Sequence, residues 1–387
     1  MNDWYTYLIL FLVGLLVTIL TTPLAKRIAW KVNAVDYPSA WRINKQATPR
    51  VGGIAIFLGL AGALITQYVG TVYFDWPVVF IPHPSMVIEY RMLAVSVLVM
   101  FMVGFLDDVF SLKPLVKFAG QTVAAIIAVA SGLVIYEIVD PFGSEAALNI
   151  GWIAYPITVL YLVAFANIVN LIDGLDGLAA GISGIVSLSL FVIAIMFGRP
   201  DAAALSIALA GCCLGFLRYN FHPASIFMGD CGSNTLGFLL GIVSLLNVSR
   251  TAALTTILVP LIFAGVPIID TFAAIVRRKR GHMSIAQRDK GHIQHRLMQR
   301  GYDQRKAAMF VYAWSAFLSI GAILITQVDV IARIVIFIIL LLASFLFVHK
   351  LHLFEPVLRH HYNKDTQTDE ILPADSPVFK EEESAEK

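Results

Sequence analysis

The sequence predicts an all-α integral membrane protein, a polytopic bundle of about 11 transmembrane helices with its N-terminus outside. Three observations carry that reading. The 387 residues are 58% hydrophobic and only 14% charged, with a mean hydropathy of +0.78, far from the balance of a soluble domain. The apolar residues gather into runs long enough to cross a hydrocarbon layer of ~30 Å, which takes about 20 residues as helix. The basic residues fall on alternate sides of those runs.

The runs are residues 4–22, 52–69, 91–106, 118–135, 152–169, 178–197, 202–217, 234–248, 252–276, 308–326 and 330–348. They are read as helices because backbone polar groups in lipid must be paired within the segment. The first is not read as a cleaved signal peptide. Asp3 precedes it, no basic stretch opens it, and Lys26, Arg27 and Lys31 follow it. With the N-terminus outside, alternation puts 24 of the 28 Lys and Arg residues on the cytoplasmic side, leaving Arg91, Arg199 and Arg250 outside and Arg333 at the opening of the last run. That is the positive-inside bias, and a wrong count would scramble it. The expected location is therefore a membrane, crossed many times, with the basic loops on its cytoplasmic side.

Residues 1–350 are read as one membrane domain and 351–387 as a disordered, acidic cytoplasmic tail. Cys212 and Cys213 fall in a run and Cys231 in a loop, with no metal-binding spacing, so no disulfide is expected. No internal repeat suggests a transporter built from two halves.

Carboxylates beside membrane spans are costly and point to function. Four polar clusters stand out, and all four fall on the predicted cytoplasmic side. Asp107 and Asp108 end the third run. Asn167, Asn170, Asp173 and Asp176 lie in NIVNLIDGLDG at the end of the fifth. Asp230 lies in FMGDCGSN before the eighth, and His292, His295 and Arg296 lie in the long basic loop before the tenth. Each cluster alone has a bland reading: a solvated helix end, an Asx-turn loop, a turn with a cap, a surface histidine. Bland readings would have to coincide four times on one face. Together the clusters suggest phosphate chemistry. Mg²⁺ takes oxygen ligands, commonly one or two carboxylates plus substrate phosphates. Ser233 is expected to cap the eighth helix, whose free N–H groups would meet an anion, and the basic loop supplies cations for a diphosphate. Asp270, inside the ninth run, is expected to pair with a basic residue such as Arg277 or to support the site from behind. Neither a P-loop nor a dinucleotide fingerprint is present.

The motifs in combination resemble those of the bacterial polyprenyl-phosphate N-acetylhexosamine-1-phosphate transferases of glycosyltransferase family 4. They are similar above all to the undecaprenyl-phosphate N-acetylglucosaminyl-1-phosphate transferases. The motifs run Asp36-x-Pro38, Pro49-Arg50-x-Gly52-Gly53, Gly104-Phe-Leu-Asp107-Asp108, Asn167-x-x-Asn170-x-x-Asp173-Gly-x-Asp176-Gly, Phe227-Met-Gly-Asp230-x-Gly-Ser233 and His292-x-x-His295-Arg296-Leu297, and the likeness spans roughly residues 20–325. Two departures mark the chain. Gln294 stands where the family has a middle histidine, and Asn44 where many relatives have another histidine.

The resemblance implies a helical fold of 10 or 11 spans and a cytoplasmic active site. It implies transfer of GlcNAc-1-phosphate from UDP-GlcNAc to undecaprenyl phosphate with release of UMP, the first membrane step of teichoic acid or another cell-envelope polysaccharide. Asp230 is implied as the principal Mg²⁺ ligand with Asn170 as second, and Mn²⁺ as a possible substitute ion. Asp107 is implied as the base or phosphate-orienting carboxylate, Asp108 as its partner and Lys117 as a phosphate contact. Asn167, Asp173, Asp176 and Phe227 are expected to bind substrate, with Asp173 hydrogen-bonding uracil and Phe227 stacking on it. His292, His295 and Arg296 are expected to close over the diphosphate and sugar. Expected partners are UDP-GlcNAc, the undecaprenyl phosphate lipid and the membrane, with no nucleic acid; a homodimer is left open, as is GlcNAc against GalNAc. The alternative within the class is phospho-MurNAc-pentapeptide transfer, against which stands the missing third histidine. An ion-coupled transporter would need carboxylates near mid-bilayer in broken helices, and here all but Asp270 lie at helix ends.

Overall fold

Twelve helices are seen among the described residues of the computed structural model, which are 4–38, 46–80, 88–139, 147–248, 265–280, 291, 293–354, 358–363 and 368–373. In chain order they are α1 (Trp4–Lys31), α2 (Gly53–Tyr73), α3 (Tyr90–Phe110), α4 (Pro114–Ala130), α5 (Ala154–Ile172), α6 (Leu178–Met196), α7 (Pro200–Asn220), α8 (Gly229–Val248), α9 (Gly265–Arg280), α10 (Ile293–Gln299), α11 (Gln304–Ile325) and α12 (Val330–Lys350). Nine of them, all but α4, α9 and α10, are long and apolar enough to cross a membrane; α4 is a shorter apolar helix. The protein is thus an all-α, multi-pass membrane protein. Ten of the expected runs coincide with helices, and of the run expected at 252–276 residues 252–264 lie outside the described residues.

The distribution of polarity follows burial. In α12 only 17% of the span is buried, in α8 89%. Helix α12 faces outward and is almost wholly apolar. Helix α8 carries Asp230, Ser233, Asn234, Thr235, Ser244 and Asn247 and packs against α2, α3, α5, α6 and α7. Polar side chains are affordable there because neighbouring helices, not lipid, supply their partners. Helix α1 shows the complementary device. Its buried residues Thr6, Leu10, Gly14, Thr18 and Thr22 recur every four positions, a stripe of mostly small residues that lets another backbone come close. That backbone is α7: a Cβ on Gly14 would lie 2.7 Å from the Ala208 carbonyl oxygen, and one on Gly215 2.5 Å from that of Leu15.

One expectation needs correcting. Helix α8 begins at Gly229 rather than near residue 234, so Asp230 and Cys231 lie in its first turn and Ser233 is inside it, where its hydroxyl donates to the Gly229 carbonyl at 2.9 Å instead of capping the helix. Hydropathy could not place that start, because the first turn is polar. Within residues 351–387, Leu358–Asn363 pairs antiparallel with Thr368–Pro373. All three cysteines are free and buried.

Candidate active site

Three of the four polar clusters meet at one end of the bundle. Lys117, in the first turn of α4, is the hub. Its Nζ lies 2.9 Å from Asp107 Oδ2, at the end of α3, and 2.9 Å from Asp230 Oδ2, at the start of α8. Asn170, near the end of α5, donates from Nδ2 to the other oxygen of Asp230 and, at 2.9 Å, to Ser233 Oγ. Asp107 Oδ1 also accepts the Leu112 N–H at 2.8 Å, which fixes the turn between α3 and α4. Pro114 then opens α4, where its missing N–H costs nothing.

Asp108 does something different from its neighbour. It is buried, and its carboxylate accepts the backbone N–H groups of Asp230 and Cys231, both at 2.9 Å. Two N–H groups at the N-terminus of α8, where the sequence suggested an anion, are therefore satisfied by this chain's own side chain. Arg50 closes the corner, donating from Nη2 to the Asp108 carbonyl at 2.6 Å with Nε 3.9 Å from Oδ1. Gly229 has a φ of +71°, and a Cβ there would overlap the Arg50 carbonyl and sit 2.6 Å from Asp108 Oδ2. No other residue fits that turn.

One helical turn below Lys117, Asp230 and Asn170 lies a layer of amides from the same three helices. Asn167 Nδ2 donates to Gln121 Oε1 at 2.8 Å, and Gln121 Nε2 to Asn234 Oδ1 at 3.2 Å. Gln121 and Asn234 are wholly buried. Spacings of four (117 to 121, 230 to 234) and three (167 to 170) stack the layers. Asn167, expected to bind substrate, belongs to this layer and holds the helices in register.

Above the hub opens a pocket of about 1210 Å³, whose wall includes Lys26, Arg50, Asp108, Asn170, Asp173, Asp176, His222, Phe227, Asp230 and Gln304. Desolvation first, then the charges of Asp230, Asp108 and Asp176, push the Asp173 carboxyl from near 3.8 up to about 8, so it is a proton donor at neutral pH. Asp176 lines the pocket, but its Oδ2 is taken by His222 Nδ1 at 2.7 Å and by the Ala224 N–H at 3.0 Å. Phe227 is held through its backbone, donating to the Pro49 carbonyl at 2.8 Å and accepting the Gly52 N–H at 3.0 Å. That ladder joins the Pro-Arg-x-Gly-Gly and Phe-Met-Gly-Asp motifs. Residues not expected from the sequence also reach the wall. Lys26 Nζ donates to Ser225 Oγ at 2.8 Å, and Arg305, beside Gln304, donates to the His222 carbonyl at 2.9 Å.

The histidine cluster is only partly seen. His292 lies outside the described residues. His295 and Arg296 are in α10, whose first N–H, that of Ile293, donates to Asp270 Oδ1 at 2.8 Å. Asp270, buried in α9, thus anchors the start of that helix. No residue of α10 is among the described residues lining the pocket.

Among the described residues no three His, Cys, Asp or Glu side chains converge as a metal cage. The donor set suits a hard cation that shares its coordination with substrate: Asp230 brings a carboxylate and Asn170 an amide to the pocket wall. Beside the hub, a second cavity of about 630 Å³ lies between α4 and α5, lined by Phe118, Thr122, Ile126, Tyr155, Val159 and Leu160 among others. It is almost purely apolar and begins at the residue after Lys117.

Residues 90–248, from α3 to the end of α8, match the model of glycosyl transferase family 4. A Bacillus subtilis (strain 168) protein named a probable undecaprenyl-phosphate N-acetylglucosaminyl 1-phosphate transferase is 40% identical over 322 residues, covering 83% of this chain and 85% of that one. The decaprenyl-phosphate N-acetylglucosaminephosphotransferase of Mycolicibacterium smegmatis is 34% identical over 336 residues, 81% of each chain. A phospho-N-acetylmuramoyl-pentapeptide-transferase of Prochlorococcus marinus is 32% identical over 287 residues, 70% of this chain and 74% of that one.

Proposed function

The chain belongs to glycosyl transferase family 4 and is a membrane phosphotransferase, and on that premise we propose that it moves GlcNAc-1-phosphate from UDP-GlcNAc to undecaprenyl phosphate. The acceptor phosphate oxygen attacks the β-phosphorus of UDP-GlcNAc, the bond from that phosphorus to the bridging oxygen breaks, and UMP leaves. The product is a lipid-linked diphosphate sugar, the starter of a cell-envelope polysaccharide such as teichoic acid. The site would face the cytoplasm of a bacterium, where nucleotide sugars are found.

The observation that carries this reading is the Lys117 hub, whose partner Asp230 lines the polar pocket and whose chain neighbour Phe118 lines the apolar groove. Two anionic substrates, one soluble and one lipid, must bring phosphates together. Lys117 and Arg50 supply positive charge at the junction, and the groove between α4 and α5 accepts the prenyl chain with its phosphate beside Lys117. A phosphate monoester with a second pKa of about 6 is already a nucleophile at neutral pH, so Asp107 need only orient it. Asp230 and Asn170 would hold Mg²⁺, with Mn²⁺ as substitute, and the ion would neutralise charge on the diphosphate. Phe227 and Asp173 offer the uracil a ring face and a hydrogen-bond donor.

The stronger likeness to the N-acetylglucosamine enzymes, together with Gln294 in the histidine segment, favours UDP-GlcNAc over a muramoyl pentapeptide donor. The test is purified protein with Mg²⁺, undecaprenyl phosphate and a panel of UDP-GlcNAc, UDP-GalNAc and UDP-MurNAc-pentapeptide, scored by UMP release. UMP release from UDP-GlcNAc alone is expected; release only from the pentapeptide donor would overturn the assignment.

A further inference from the structure

Asp176 was expected to touch substrate, yet its Oδ2 serves the loop between α7 and α8. Two strands of loop are stitched together at this point. Gly177 N–H donates to Asn220 Oδ1 at 3.1 Å, Asn220 Nδ2 donates to the Ile226 carbonyl at 2.9 Å, and Ala224 N–H donates to Asp176 Oδ2 at 3.0 Å. The Gly177 carbonyl accepts the Tyr312 hydroxyl at 2.6 Å, and the His222 carbonyl accepts Arg305 Nε at 2.9 Å. Within this frame His222 is fixed by its backbone and by Nδ1, 2.7 Å from Asp176. Its side chain is 37% exposed and lines the pocket. A carboxylate accepts only, so the neutral imidazole carries its proton on Nδ1 and offers Nε2 as an acceptor. Nε2 has no hydrogen-bond partner among the described residues.

We propose that His222 is a binding residue for the nucleoside half of the nucleotide sugar, with Nε2 accepting a hydrogen bond from a ribose hydroxyl. The inference rests on the transferase reading above and extends it. The ribose is favoured because Asp176 lies three residues after Asp173 and His222 five before Phe227, the two residues set to hold the uracil. The two loops that would clasp the base therefore also carry the imidazole. The diphosphate end is occupied by Lys117, Asp230 and Arg50, which have no need of a neutral acceptor. Asp176 is then a positioning residue, which holds the tautomer and the ring orientation.

The two amide replacements of histidine separate binding from architecture. His222→Asn keeps a donor where Nδ1 is, and so keeps the tie to Asp176, but has nothing at Nε2. His222→Gln can place an amide oxygen near Nε2. The measurements are UMP affinity, KM for UDP-GlcNAc and thermal midpoint, each repeated with 2′-deoxy and 3′-deoxy UMP. The expected result is that His222→Asn, with the wild-type midpoint, binds UMP about tenfold more weakly and raises KM by a similar factor, with a smaller change in kcat. His222→Gln recovers part of the loss, and one deoxy nucleotide binds wild type and His222→Asn alike. A lowered midpoint with unchanged UMP affinity would reduce His222 to architecture and overturn the proposal. Weakened UDP-GlcNAc with unchanged UMP would move the contact to the sugar and overturn it equally. If wild type binds no uridine nucleotide, the transferase reading itself fails; if it does and the variants match it, only the role of His222 falls.

Discussion

Replacing Lys117 by Met separates metal binding from turnover. The side chain stays unbranched, is one atom shorter and loses its charge. In the native site one ammonium lies 2.9 Å from an oxygen of Asp107 and 2.9 Å from an oxygen of Asp230, so those two oxygens are at most about 5.8 Å apart. With the cation gone, two like charges face each other at that separation or less. At an effective dielectric near 20 their repulsion is at least about 3 kcal/mol, and a divalent cation relieves it. Half-saturating Mg²⁺ is therefore expected to fall by about tenfold or more in Lys117→Met. Turnover moves the opposite way. A preorganised cation aimed at developing phosphate charge is worth about 3–4 kcal/mol, so kcat should drop by about two to three orders of magnitude. UMP release measured across a Mg²⁺ titration reads both quantities. A half-saturating concentration that rises or stays fixed would refute the reasoning, because Lys117 would then not share its carboxylates with the metal.

Four further outcomes follow. Asp230→Asn should abolish turnover; if more than about a tenth of kcat remains at saturating Mg²⁺, a loss of roughly 1.4 kcal/mol or less, Asp230 is not the metal ligand. Asp173, pushed up to about 8, is protonated below that pH and donates, then ionises above it, so metal-free uridine binding should weaken as pH rises through 8 in wild type but not in Asp173→Asn, and equal profiles would count against a donor role. Gln121→Leu breaks the amide layer one turn below the hub and leaves the buried Asn234 Oδ1 without its donor, at about 1–3 kcal/mol; half-saturating Mg²⁺ should rise, whereas a purely structural role would lower the thermal midpoint and leave Mg²⁺ dependence alone. Single cysteines at Ser111 and Ser225, in a background without Cys212, Cys213 and Cys231, should resist an impermeant thiol reagent in intact cells while Trp152→Cys, at the other end of the bundle, labels; labelling of Ser225→Cys from outside would invert the proposed topology.

Much of this site was legible because ionisable groups stand out against lipid-facing sequence. Asp107, Asp108, Asn170 and Asp230 were all visible as polar residues at the ends of apolar runs, and the structure brings them to one corner. What the sequence could not say is which oxygen each carboxylate spends, and on whom. Asp107 and Asp108 are adjacent, yet one holds Lys117 and the other caps α8. The helical turn of about 100° per residue sends neighbours to different partners. Asp176 likewise has its partner 46 residues away. His222 stood in a loop flanking the polar clusters and could have been suspected on that ground. Gln121 was missed for another reason: a search for carboxylates passes over a lone amide in an apolar run, although an intramembrane polar residue calls for a partner just as a charge does.

The misplaced start of α8 is informative in itself. Hydropathy put the helix at residue 234 because Gly229 to Ser233 are polar and small, and those five residues are where the helix enters the site. A span that must offer its first turn to ligands cannot also look apolar there, so the rule that finds membrane helices fails first at catalytic helix ends. At α4 the same conflict hides the first turn: the apolar run opens at residue 118, whereas the helix starts at Pro114 and reaches the site through Lys117. Helix α12, with no site to serve, was located almost to the residue: 330–348 against Val330–Lys350. Helices α4 and α8 both enter the site through a first turn that hydropathy passed over, and the 2.9 Å contact from Lys117 to Asp230 joins those two turns, so they are the pair on which turnover should depend most.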